Sequence, residues 1–138
     1  MISTRSLILL VGLCGPSAFG APAVYTVVDN SSSLLMNQAS AEALWRDEAS
    51  AKLMRLYPVK KWGFVSEVEG GFDDAKNCVI TARAMMLPRS GKTLTYRPVK
   101  TATAFGIHPG ASQQQCRAFA TAKLKEAMGA VRSALLAQ

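Results

Sequence analysis

Glu67 and Glu69, set two residues apart beside Gly70-Gly71 and Asp73-Asp74, are among the most concentrated carboxylates of this chain. In an alternating segment they share one face, where a carboxylate pair does acid–base chemistry or holds calcium. A glycosidase pair also requires a set separation across a cleft. The Asp73 region lacks the spaced oxygen ligands of a calcium loop, so the pair reads as a solvated acidic strand and turn. The single histidine, His108, lies in Gly106-Ile107-His108-Pro109-Gly110 and reads as a turn residue rather than a general base. Gly91-Lys92-Thr93 ends like a phosphate-binding loop but lacks the first glycine of that motif, which argues against nucleotide binding. Met85-Met86 reads as core filling, because a soft-metal site needs further converging sulfurs. The residues therefore predict no catalytic set, no metal site and no cofactor.

The cysteines carry the firmest chemistry. Met1 to Ser6 holds one charge, Arg5. Leu7 to Leu13 is an unbroken apolar run, and small residues follow from Pro16 to Ala21. This is the layout of a secretory signal, with residues 1–20 removed by a cut before Ala21, or with the cut before Val24. Gly12, Gly15, Pro16 and Ser17 interrupt the run well short of the roughly 20 apolar residues of a membrane anchor. Leu13 before Cys14 disfavours lipidation at that cysteine. Cleavage leaves Cys78 and Cys116, and an even pair in an exported domain predicts a disulfide. Closing a loop of this span contributes about 4 kcal/mol on the chain-entropy account. With one histidine and no C-x-x-C, the pair does not fit a zinc site.

Charge bounds the partners. Loss of Arg5 leaves 15 basic against 9 acidic residues, a net of +6. Val24 to Asp74 carries eight acids and five bases, whereas Ala75 to Lys125 carries nine bases and no acid. Such asymmetry suits an anionic partner or a polar self-contact. The candidate patch is Arg83, Arg89, Lys92, Arg97 and Lys100, with Thr81 beside it. An exported chain without a reading helix or stacking aromatics argues against nucleic acid. An anionic envelope component or an acidic protein is the expected counterpart, with no transmembrane span after cleavage. Nothing in the residues sets the oligomeric state.

The elements that must position these residues follow from periodicity. Residues 21–33 end in Asp29-Asn30-Ser31-Ser32-Ser33 and read as a flexible arm, within which Tyr25 to Val28 either forms a short strand or stays mobile. Residues 34–138 read as one domain. Helical spacing runs from Leu34 to Tyr57 with Leu44, Trp45, Leu53 and Met54 on one face, as one helix or two, until Pro58 ends it. Trp62 to Val68 and Cys78 to Leu87 alternate as strands around a Gly70 to Asn77 turn. Pro88-Arg89-Ser90-Gly91 reads as a hairpin connection. Thr93 to Phe105 reads as a third strand whose Pro98 requires an edge or bulge. Ser112 and Gln115 form a capping-box pattern ahead of a long amphipathic helix from Cys116 to Leu135. The expected fold is α+β, ordered helix, three-stranded antiparallel meander, C-terminal helix, with both helices on one sheet face.

These readings predict a small exported, non-catalytic binding or accessory protein. A small cell-envelope hydrolase using Glu67, Glu69 or His108 is one alternative, and a self-assembling envelope structural protein is the other.

Overall fold

The computed structural model describes residues 23–138; the expected leader and Cys14 lie outside the described residues. The chain forms β1 (Thr26–Asp29), α1 (Gln38–Glu48), α2 (Ala51–Leu56), β2 (Trp62–Phe72), β3 (Cys78–Ser90), β4 (Thr93–Leu94), β5 (Lys100–His108) and α3 (Gln113–Leu136). The fold is α+β, as expected, but its sheet is mixed rather than a three-stranded meander. β2, β3 and β5 are antiparallel neighbours, and β1 adds to β2 in parallel, with Val27 opposite Phe64.

Two expectations change for identifiable reasons. Part of the arm expected to be flexible is β1. Its β-branched Thr26, Val27 and Val28 suit a strand, and α1 and α2 provide the long crossover that a parallel neighbour needs. The third strand expected over Thr93–Phe105 is split at Pro98, which has no N–H to donate. The short β4 pairs with the end of β3, and β5 begins after Val99 donates to the Met86 carbonyl at 2.9 Å.

The Leu34–Tyr57 segment resolves into two helices. Asn37 caps α1 by accepting from the Ser40 N–H at 2.9 Å, and Ser50 caps α2 by accepting from the Leu53 N–H at 3.1 Å. Each satisfies an orphan donor of a helix start. The capping box at Ser112 and Gln115 is formed in both directions. Gly70 has φ +135, and a Cβ there would sit 1.9 Å from the Val79 carbonyl oxygen, so the β2–β3 ribbon requires glycine.

The three helices of the described residues lie on one face of the sheet. Alternation in β2 and β3 turns Phe64, Ser66, Val68, Ile80, Ala82, Ala84 and Met86 towards them, where Trp45, Leu53, Leu124, Met128 and Val131 complete the core. Alanines at 82, 84, 102 and 104 of the sheet share the core with Ala120 and Ala127 of α3; small side chains on both elements allow helix and sheet to approach closely. Cys78 at the start of β3 is bonded to Cys116 in the first turn of α3, with Cα atoms 5.5 Å apart. On the opposite sheet face Val65, Met85 and Leu87 form a small second cluster under Leu94. The remainder of that face is open, with Phe105 59% and Ile107 52% exposed.

Candidate binding groove beside the first strand

Among the described residues β1 is an edge strand, and its outer edge is where they offer unpaired backbone. Successive residues of a strand direct their N–H and C=O groups to opposite edges. Asn30 donates to the Ser66 carbonyl at 2.8 Å, so Thr26, Val28 and Asn30 face β2, whereas Tyr25, Val27 and Asp29 face outward. The first residue of α1 closes part of that edge. Gln38 Nε2 donates to the Val27 carbonyl at 2.8 Å, and Gln38 Oε1 accepts from the Asp29 N–H at 2.8 Å. One amide side chain thus stands where the next strand would be. The Val27 N–H and the Tyr25 carbonyl, further along the same edge, have no partner among the described residues.

From the Gln38 plug α1 runs back along the strand. Glu42, Arg46 and Ala49 occupy later turns of the same helical face, and with Val27, Trp45 and Met54 they enclose a groove of about 440 Å³ that extends to Ala23. That volume is within the usual range of ligand sites. The floor is rigid. The Trp45 indole lies flat on Phe64, with ring centroids 3.9 Å apart and planes 13° from parallel, and its Nε1 donates to Ser66 Oγ at 2.9 Å. Tyr25 meets the same Phe64 ring edge-on at 4.8 Å and donates its hydroxyl to the Tyr57 carbonyl at 2.6 Å. Burial pushes the Tyr25 phenol up to about 12, so the hydroxyl keeps the proton that this hydrogen bond uses.

The groove is mostly apolar, with two charged residues on its helical wall. Glu42 accepts from Gln38 Nε2 at 2.7 Å and is thereby engaged with the plug. Arg46 is exposed, and among the described residues no carboxylate lies within ion-pair distance of it. An apolar channel bordered by a strand edge and a free guanidinium can hold a molecule with apolar substituents, backbone-like polar groups and negative charge.

The residues singled out by sequence lie elsewhere and do not form one surface. Arg83 is on the open sheet face, where its guanidinium meets Glu67 at 3.1 Å; Thr81 is exposed on that face. Arg89 donates to the carbonyls of Gly91 at 2.6 Å and Val59 at 2.8 Å, which ties the β3–β4 hairpin to the segment before β2. Lys92 is exposed in the turn of that hairpin, and Arg97 is exposed on the segment leading from β4 to β5. Lys100 stands opposite Met86, on the helix side of the sheet. Glu67 and Glu69 share the open face, whereas His108 is opposite Cys78 on the helix side, edge-on to Phe119 at 5.6 Å.

The groove residues escaped the sequence reading for a physical reason. Tyr25-Thr26-Val27-Val28 carries a strand signal, and Trp45 a helical one, but their meeting depends on the parallel pairing across α1 and α2. No signal in the chain marks Gln38 as an edge plug. Among the described residues no helix is long and apolar enough to cross a membrane, and no group of three or more His, Cys, Asp or Glu is placed to hold a metal. The Cys78–Cys116 bond is compatible with an oxidising compartment. No known protein family, curated protein or solved structure matches the chain.

Proposed function

We propose that the protein is a small exported, non-catalytic binding or accessory protein, and that its ligand site is the groove between β1 and the α1–α2 pair. The observation that carries this reading is the convergence at one place of a strand edge, an apolar channel and Arg46, the edge and the guanidinium both open among the described residues. The signal-like leader and the disulfide support export, and the net positive chain suits an acidic protein or another anionic envelope component as counterpart. The hydrolase alternative is less well supported, because Glu67 is engaged by Arg83 and His108 is on the other side of the sheet.

Photocrosslinking in the exporting cell tests the reading. A photoreactive residue at position 49, in the groove wall, is expected to give discrete adducts. The same residue at position 130, on the exposed side of α3, is expected to give none. Equal labelling from both positions, or none from position 49, overturns the assignment of the groove as the ligand site.

A further inference from the structure

The outward groups of β1 define what the groove recognises. The carbonyl of Tyr25, the residue just before β1, and the Val27 N–H are an acceptor and a donor on one edge, and Gln38 has already taken the next two positions in the manner of a neighbouring strand. A purely hydrocarbon ligand would bury these groups without partners, which is unfavourable by the full desolvation of each. An extended peptide satisfies them. Ala23 to Val27 leads into the first residues of β1 and covers about 13 Å when extended, room for four or five residues before Gln38 stops the ladder. Alternate side chains of such a segment would enter the channel between Val27, Ala49 and Met54. Beside them stands Arg46, exposed and without a carboxylate among the described residues, whereas Glu42 is held by Gln38.

From this juxtaposition we infer that the groove binds an extended, acid-bearing peptide segment of a partner protein, added as a strand to the free edge of β1 with its carboxylate on Arg46. The inference rests on the groove being the ligand site. The carboxylate is either an acidic side chain or a chain terminus, since both present two oxygens to a guanidinium.

The full chain, expressed with its own leader and recovered oxidised after export, is titrated with four six-residue peptides of alternating valine and threonine while backbone amides are followed by NMR. The first ends in glutamate with both chain ends blocked. The second carries a free terminal carboxylate and no acidic side chain. The third carries neither, and the fourth is the first with alternate amides methylated. Binding of the first or second about tenfold tighter than the third is expected, and which of the two leads identifies the source of the carboxylate. The methylated peptide is expected not to bind, hydrogen exchange at the Val27 amide is expected to slow in the complex, and Arg46→Gln should abolish the preference for acid without altering thermal unfolding.

Equal binding of the methylated peptide, or an unchanged Val27 amide, overturns strand addition. A Val27 amide already protected in the free protein overturns it too, because the residues preceding Ala23 or a second copy then occupy the edge; dependence of that protection on concentration separates the two. An anilinonaphthalene sulfonate probe separates this proposal from the reading beneath it. If the probe binds and Met54→Lys abolishes its binding while no peptide binds, the peptide proposal fails and the groove stands. If neither probe nor peptide binds, both fail.

Discussion

Trp45 Nε1 donates a 2.9 Å hydrogen bond to Ser66 Oγ, and both residues are buried, Trp45 to 2% exposure and Ser66 completely. Ser66 is the buried polar residue of the described core, and its hydroxyl faces the one polar atom of the largest buried ring. The bond fixes the rotation of an indole that stacks on Phe64 and forms the groove floor, so core satisfaction and site rigidity are one arrangement.

Ser66→Ala leaves the indole N–H buried without a partner, at a cost of about 1–3 kcal/mol. Trp45→Phe costs a similar amount or more, through lost packing and an orphaned hydroxyl. The double variant is expected to be less destabilised than the sum of the two, because each substitution removes the partner whose loss the other penalises. Urea denaturation of the four proteins measures the coupling; strict additivity would show that the bond contributes nothing.

Cys78→Ala together with Cys116→Ala is expected to lower stability by about 4 kcal/mol, the loop-closure contribution of a 38-residue separation. The bond joins the first residue of β3 to the first turn of α3. Hydrogen exchange in the reduced protein should therefore rise first in the amides following Ser112, and later in the β2–β3 ladder. Uniform loss of protection would contradict a local tether.

Much of this arrangement was legible in particular residues. The parity of Cys78 and Cys116 under an expected loss of the leader pointed to the disulfide, Ser112 with Gln115 gave the start of α3, and strict alternation gave the helix-facing residues of β3. Those signals are local or arithmetical. The groove is neither. β1 is four residues long, and its parallel pairing is set by helices that intervene in sequence. Pro98 carried a warning about the third strand, but its outcome as a split depended on β4 finding the end of β3. The basic residues looked like one patch because they are near in sequence; period-two geometry sends Arg83 and Lys100 to opposite faces.

The buried Tyr25 phenol, pushed up to about 12, makes stability sensitive to alkali. Its folded value lies above that of an unfolded tyrosine, about 10. Its contribution is therefore fully present below about pH 10 and is lost as pH rises through about 12, because the unfolded chain releases its proton first. Tyr25→Phe should make the decline of unfolding free energy across that window shallower. It should also cost about 1 kcal/mol at neutral pH through loss of the hydrogen bond to the Tyr57 carbonyl. An unchanged alkaline slope would assign the sensitivity to other groups.

Asp73 works in the opposite direction. Its carboxyl is held below the usual carboxylate range, chiefly by the Asn77 backbone N–H at 2.8 Å and then by the Asn77 side-chain amide at 3.0 Å. A lowered value means a contribution present above the ordinary aspartate range and lost as pH falls through the folded value. Asn77→Ala keeps the backbone donor and removes the amide, so the carboxyl should return only part of the way to its ordinary value in an NMR titration. A complete return would show that the side chain, not the turn backbone, governs it.

Gln38 gives the sharpest test of how the edge is managed. Exposed strand edges invite pairing with other chains, and folded proteins commonly obstruct them. Gln38→Ala removes both amide contacts to the strand and the one to Glu42, frees the Val27 carbonyl and the Asp29 N–H, and extends the open ladder from the groove to the end of β1. The variant is expected to lose about 1 kcal/mol of stability and to show concentration-dependent association by sedimentation, with protection of the Asp29 amide lost in dilute solution and regained as concentration rises. Gln38→Glu preserves the acceptor for Asp29 but loses the donor to Val27 and places a second carboxylate beside Glu42, so it should release the Val27 side alone and be relieved at low pH. A Gln38→Ala variant that stays monomeric at millimolar concentration, with Asp29 exchanging freely, would show that the curvature of the edge and its neighbouring charges suffice to keep it unpaired.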